Sequence, residues 1–416
     1  MIDQDGRRRN YVFFLIAGAG LATTARGMTL SFLAIKLQQS FGLSPAAIGA
    51  LLGIGPLLGA MVGPFAGSLS DRIGRKAVLT VTLVAMAVSL VGMGLADTVV
   101  TFCLAQIASA IAIAIYEPIS RALMSDVCPE PTRLKYFSWR YMASNAGWAL
   151  GPLIGIAAGA ATTPLFLAAG LVYAVFAALL HLLHVPVLAS VAAAEARLSL
   201  VAGIRAAARD PRLAFFVAGG VLLIAVHGQW SATLAPYLTA HIAGGMEIYA
   251  YLVSINGAVV LLCNPLARRF IERAGALRAL VIGCVLFLAG ELGFLFSTGF
   301  VGLAMAMTVF TIGEILVVPS EYMLVDGIAD DRNRGSYFGA HSFATVGNFI
   351  GPTLGGMMLG AFGGPGMFLL FAAFAGAGAV LFALGTRMPP PGRAAGIRPA
   401  PVAGAAVGPS LRAAPG

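Results

Sequence analysis

Glu314 and Glu321 stand seven residues apart in "TIGEILVVPSEY", inside an otherwise apolar stretch. On a helix that spacing puts both carboxyls on nearly one face, two turns apart. Pro319 between them can kink the helix. An ionisable side chain within an apolar span costs about 2.5–3.5 kcal/mol, so each needs a partner or a task. A carboxyl in a low-dielectric cavity holds a proton near neutrality and gives it up to water or an arriving cation. Exchanging a proton for an organic cation requires this chemistry. Glu314 is the first candidate for it, with Glu321 lining the same cavity. Glu117 is either a second proton carrier or the salt-bridged partner of Arg121, four residues on; if paired, it stays ionised.

Arg26 is too deep in its apolar run to reach a headgroup easily, and it suits an acidic partner or an anionic substrate group. His227 titrates near physiological pH, so it reads as a proton relay or as a hydrogen-bonded packing residue. Gln229, Trp230 and Tyr237 come next as polar and aromatic lining for the cavity. Glu291 lies nearer the outer surface and is a weaker candidate. His181 and His184 have helical spacing but no third ligand, so no metal site is expected. There is no GxxxxGKS phosphate loop for ATP coupling and no nucleophile constellation. The chain is not read as an enzyme, and no cofactor is expected beyond a proton gradient.

The elements that must hold these residues are membrane spans. Of 416 residues, 59% are hydrophobic and 10% charged, where soluble chains carry about a quarter charged. Apolar runs of 18 or more residues recur, each long enough to cross a bilayer core of about 30 Å. Twelve α-helical spans are expected, at about 11–37, 46–69, 77–96, 98–125, 138–160, 164–187, 212–240, 247–270, 276–297, 299–325, 336–361 and 366–386. They fall into an N-terminal bundle, 11–187, and a C-terminal bundle, 212–386. Between them 188–211 reads as an amphipathic helix on the inner leaflet. Residues 1–10 form a cytoplasmic N-terminus and 387–416 a disordered cytoplasmic tail rich in Pro, Ala and Gly. The net charge of +9 reflects orientation: 24 of 26 Lys and Arg fall before span 1, at alternate loops or in the tail. The positive-inside rule then puts both termini in the cytoplasm. The lipid bilayer, and no nucleic acid, is the expected partner of these charges.

The sequence repeats itself at an offset of 201 residues. "GPFAGSLSDRIGRKAVL" from 63 meets "NPLARRFIERAGALRAL" from 264, so that Asp71 falls on Glu272 and Gly74 on Gly275. At the same shift Pro118 falls on Pro319, and Tyr136–Phe137 on Tyr337–Phe338. Arg26 falls on His227. The chain is therefore a duplicated six-span unit, and such repeats usually hold a substrate between the halves near mid-membrane.

Two motifs narrow the reading. In "GSLSDRIGRK", Gly67, Asp71, Arg72, Gly74, Arg75 and Lys76 crowd a short turn between spans 2 and 3. With Asp126 as partner for Arg75, and Glu272 as the repeat's copy, this cluster reads as a conformational latch between halves or as a plain topology anchor. In "GWALGPLIG", Gly147, Gly151, Pro152 and Gly155 form a close helix-packing motif, repeated in span 11 by Gly347, Gly351, Pro352 and Gly355. The first motif resembles the signature loop of the major facilitator superfamily, and the second that of its drug:proton antiporters. The resemblance implies two six-helix bundles rocking about a central cavity, in a monomeric multi-pass protein of the bacterial inner membrane. It implies proton-coupled export of multidrug-type amphiphiles or of an endogenous metabolite such as a siderophore. Uptake of an organic anion by symport is the alternative. The span 4 arginine frequent in that branch is replaced here by Gln106.

Overall fold

Caps and glycine turns decide where each apolar run starts and stops. Ser44 accepts a hydrogen bond from the Ala47 N–H, with Pro45 in the first turn, and Thr98 forms a capping box with Thr101. Asp210 does the same work for the Arg212 N–H, again with a proline, Pro211, next in line. Gly74 and Gly275 turn the chain at equivalent points of the two repeats, with φ of 94° and 86°. Those angles favour glycine over any residue with a Cβ.

In the computed structural model these signals delimit helices throughout the described residues, 2–128, 130–159, 162–183, 209–329 and 334–390. The linker proper, His184 and the tail beyond 390 lie outside them, as do the side chains at 63–69, 71 and 72, which include Gly67, Asp71 and Arg72. Twelve crossings form two six-helix bundles. Span 1 is Ile2–Leu30 continued by Leu33–Phe41, and span 2 is Pro45–Ile73. Spans 3 to 6 are Arg75–Gly94, Val99–Val127, Glu130–Ala157 and Thr163–Leu182. Span 7 is Pro211–His227 continued by Leu234–His241, and spans 8 to 10 are Gly245–Ala274, Ala276–Phe296 and Phe300–Ile328. Span 11 runs through Arg334–His341 and a 3-10 turn, Ser342–Val346, into the helix Gly347–Arg387. That helix kinks at Gly363, φ 68°, beyond which it is span 12.

Three crossings expected to be continuous are therefore broken. Span 1 breaks at 31–32, span 7 at 228–233 and span 11 at 342–346. The first two breaks are repeat-equivalent. Discontinuous helices at such places put free backbone beside a central site.

The glycine motifs pack helices within each bundle. A methyl on Gly151 would stand 2.8 Å from backbone atoms of Thr24, Gly27 and Met28 in span 1. Gly147 and Gly155 press on the same helix. In the second bundle Gly347 and Gly351 press on Val221 and Ala225 of span 7, and Gly355 on Thr233 and Phe371. Without a hydrophobic force between helices in lipid, such close approach supplies the dispersion contacts that hold a bundle.

The bundles meet through spans 2 and 11 and through spans 5 and 8. Gly49 and Gly53 lie against Pro352 and Phe349. Gly257 abuts Ala149, whose carbonyl accepts from Ser254 Oγ at 2.6 Å. These contacts lie in the half of the molecule away from Arg75, Lys76, Arg268 and Arg273. We call the two ends the far end and the basic end; the far end is sealed.

Candidate functional site

Between the bundles, on the basic side of the seal, is a cavity of about 800 Å³. Span 10 brings two acids to it. Glu314 is the central residue of its 29-residue helix and is half-buried. Asn256 of span 8 donates to Glu314 Oε2 at 2.8 Å and to Thr311 Oγ1 at 3.0 Å. Among the described residues no cation pairs with Glu314. Glu321 lies two turns nearer the basic end, and its Oε1 shares a hydrogen bond with His341 Nε2 at 2.8 Å. Both side chains are buried, about 5% exposed, so the pair is well shielded from solvent screening.

The opposite wall is the N-terminal bundle. Glu117 Oε2 is 3.0 Å from Arg121 Nη2 and 3.7 Å from Arg140 Nη2. Arg140, itself buried, also donates to Ser120 Oγ at 3.0 Å. Two guanidiniums thus face one carboxyl. Glu117 is paired with Arg121, one of the two arrangements expected for it, and Arg140 of span 5 is a second partner.

Arg26 reaches the cavity from span 1 with its guanidinium 5.6 Å from the Trp148 ring centroid. Neither an ion pair nor a side-chain hydrogen bond engages it among the described residues. His227 ends the first helix of span 7 and lines the cavity. Trp230 lines it within the break, packed edge-on to Phe310 at 4.9 Å between centroids, and its buried Nε1 lacks a partner among the described residues.

Two expected lining residues are elsewhere. Gln229 is buried and accepts from Thr233 Oγ1. Tyr237 stacks on His241 at 4.6 Å and meets Phe368 edge-on. Both expectations assumed an unbroken span 7. Gln229 falls within the turn at 228–233, where it bonds Thr233, and Tyr237 is on the short helix beyond it, packed on His241 and Phe368.

At the basic turn the expected pair of Arg75 with Asp126 is present. Arg75 Nη1 binds Asp126 Oδ2 at 2.6 Å and Lys76 Nζ donates to the Leu183 carbonyl at 2.8 Å. Both links stay inside the N-terminal bundle. Glu272 binds Arg268 on its own helix at 2.8 Å instead of crossing to the other half.

Arg140, Tyr141, Asn256 and His341 line the cavity and were not found from sequence. A signal existed for two of them: 201 residues separate Arg140 from His341, and Ser120 from Glu321. Asn256 and Tyr141 carry no such mark.

Known proteins share this architecture. The Major Facilitator Superfamily profile matches residues 15–346. The MFS-type transporter YqjV of Bacillus subtilis (strain 168) is 29% identical over 367 residues, covering 87% of this chain and 89% of that one. The multidrug resistance protein MdtH of Sodalis glossinidius is 25% identical over 350 residues, 82% of this chain and 83% of its own. The crystal structure of the nucleoside transporter NupG superimposes with a TM-score of 0.77 over 91% of this chain and 100% of that chain, at 16% identity. That last likeness is one of fold alone.

Proposed function

Because this chain belongs to the Major Facilitator Superfamily, we propose that it is a proton-coupled secondary transporter that exports amphipathic small molecules by alternating access. The basic end faces the cytoplasm under the positive-inside rule, so the conformation described here opens inward. The membrane is the bacterial inner membrane, and the energy source is the proton gradient.

One observation carries the coupling: the two cavity walls differ in kind. The N-terminal wall holds fixed charge, with Glu117 bound by Arg121 and Arg140. The C-terminal wall holds carboxyl and imidazole side chains, Glu314, Glu321, His341 and His227. Glu314 is the principal carrier. Its one described hydrogen-bond donor, Asn256, is neutral and leaves the carboxyl free to gain or lose a proton. A protonated Glu314 removes a charge from the cavity and lowers the cost of closing the basic end around it. Similarity to a multidrug resistance protein supports export.

The test is proton release from energised inside-out vesicles on adding candidate compounds, with Glu314→Gln as control. Release by the wild type and none by the variant supports exchange at Glu314. Undiminished release by the variant overturns it. Proton movement in the same direction as the compound would instead support uptake by symport, for which the unpaired Arg26 is the favouring feature.

A further inference from the structure

The cavity has a second lobe. From the polar chamber a space of about 600 Å³ runs into the N-terminal bundle, walled by Leu33, Leu52, Met86, Leu90 and Met93. Both spaces are bordered by Arg26, Leu30, Tyr173, Ser231 and Asn348, so they form one continuous site. Each lobe has the volume of a pocket for a drug-sized ligand. Met86 and Met93 lie seven residues apart on span 3, and their unbranched thioethers adapt to tails of varied shape.

The junction carries one fixed charge, Arg26. Its planar guanidinium is held over Trp148 and is free of any acid among the described residues. Tyr173, beside it, has its hydroxyl committed to the Ala22 carbonyl at 2.7 Å. An unengaged guanidinium at the mouth of an apolar pocket is a receptor for a carboxylate or sulfonate, which it grips with two parallel hydrogen bonds. On the N-terminal side of the cavity Arg26, Arg121 and Arg140 stand with one acid, Glu117, while the other two acids, Glu314 and Glu321, are on the C-terminal side.

We propose that the transported molecule is an amphipathic organic anion, its acidic head on Arg26 and its apolar body in the methionine-lined lobe. The proposal rests on the transporter reading above and names its substrate class. It divides the labour of the cavity, with binding on the fixed-charge bundle and protons on the titratable one.

The experiment uses the full chain in nanodiscs with straight-chain carboxylates from hexanoate to dodecanoate and, as the matched cation, dodecyltrimethylammonium. Carboxylate affinity should rise about fourfold per methylene, the effect of burying about 0.8 kcal/mol of apolar group, until the lobe is full. Arg26→Gln should weaken dodecanoate at least tenfold and spare the cation; Arg26→Lys should restore part of the loss. Met93→Phe should shorten the lobe and penalise dodecanoate while leaving hexanoate unchanged. Wild-type dodecanoate binding by a well-folded Arg26→Gln protein, or tighter binding of the cation than the carboxylate by the wild type, overturns the proposal. Proteoliposomes with an internal pH dye separate the two readings. Proton exchange driven by the cation alone would sink the anion site and keep the exporter. Arg26-dependent binding of carboxylates without any proton movement would keep the site and sink the coupling.

Discussion

His341 Nε2 lies 2.8 Å from Glu321 Oε1, and at the equivalent place in the other repeat Arg140 Nη1 lies 3.0 Å from Ser120 Oγ. Duplication gave both bundles the same side-chain geometry, and divergence changed only its chemistry. A guanidinium is a permanent cation that only donates hydrogen bonds, whereas an imidazole can both donate and accept. The same exchange, arginine in the first repeat and histidine in the second, separates Arg26 from His227.

If Glu321 and His341 act as one hydrogen-bonded unit, the effects of removing them should not add. Glu321→Gln and His341→Gln should each lower the transport rate, and the double variant should lose less than the two single losses together. Initial rates in proteoliposomes check this, and additive effects of the single changes would mean two independent groups.

Glu314→Gln should insert and bind substrate as the wild type does and lose gradient-driven transport by a factor of ten or more. Asn256→Leu removes the donor that holds Glu314 Oε2. It should therefore shift the pH optimum of transport without abolishing it. Equilibrium binding measured beside active efflux distinguishes loss of coupling from loss of the site.

Much of this was legible in the sequence. The offset of 201 residues exposed the duplicated bundle, and the glycine spacings marked spans 5 and 11 as closely packed helices without naming their partners, spans 1 and 7. Depth within an apolar run was enough to pick out Glu314 and Arg26. Rotation was the part that escaped. Hydropathy says that 212–240 is apolar and cannot say that 228–233 unwinds, so Gln229 and Tyr237 were assigned to the wrong face. Asn256 was passed over because a neutral amide in a span costs less than a charge and draws less notice. His341 and Arg140 were within reach of the repeat had the alignment been carried one helical turn past Tyr136 and Tyr337.

Glu291 in span 9 is fully buried, and neither carboxyl oxygen has a hydrogen-bond partner among the described residues. It is packed away from the cavity. A buried polar group left unsatisfied costs about 1–3 kcal/mol. Glu291→Met, similar in length and adaptable in shape, should raise the thermal midpoint in detergent and leave transport unchanged. A fall in transport with the same midpoint would instead give Glu291 a working role.

At the start of span 7, Asp210 accepts from the Arg212 guanidinium at 2.7 Å, the Tyr337 hydroxyl at 2.8 Å and the Arg212 N–H at 2.9 Å. Burial alone would raise the Asp210 carboxyl, but the Arg212 side chain, then Tyr337 and the Arg212 backbone outweigh it and hold it below the ordinary aspartate range. A depressed folded value gives stability that is present above the unfolded value, about 3.9, and is lost as pH falls through the folded one. Asp210→Asn should lower the thermal midpoint at pH 7 by the equivalent of roughly 2 kcal/mol. The gap between variant and wild type should narrow as the pH drops below about 4. A gap constant down to pH 3 would assign the loss to packing.

Gly49 and Gly151 separate motion from folding. A methyl on Gly151 meets span 1 backbone inside one bundle, 2.8 Å from Met28 N. Gly151→Val should therefore yield little folded protein. A methyl on Gly49 meets the Pro352 carbonyl across the seam between bundles, with the carbonyl carbon 2.7 Å away. The bundles can relieve that clash by parting at the far end, and neither need unfold. Gly49→Ala should keep a normal yield and thermal midpoint while shifting the population toward far-end-open states. A cysteine at Ser231, which lines the cavity at the span 7 break, reports the shift. An impermeant maleimide applied from the far side should label Ser231→Cys severalfold faster in the Gly49→Ala background. Gly360, which has nothing within 4 Å of an added methyl, supplies the control, and Gly360→Ala should leave the labelling rate where it was. Equal labelling in the Gly49 and Gly360 variants would mean that the span 2–span 11 seam is not what closes the far end.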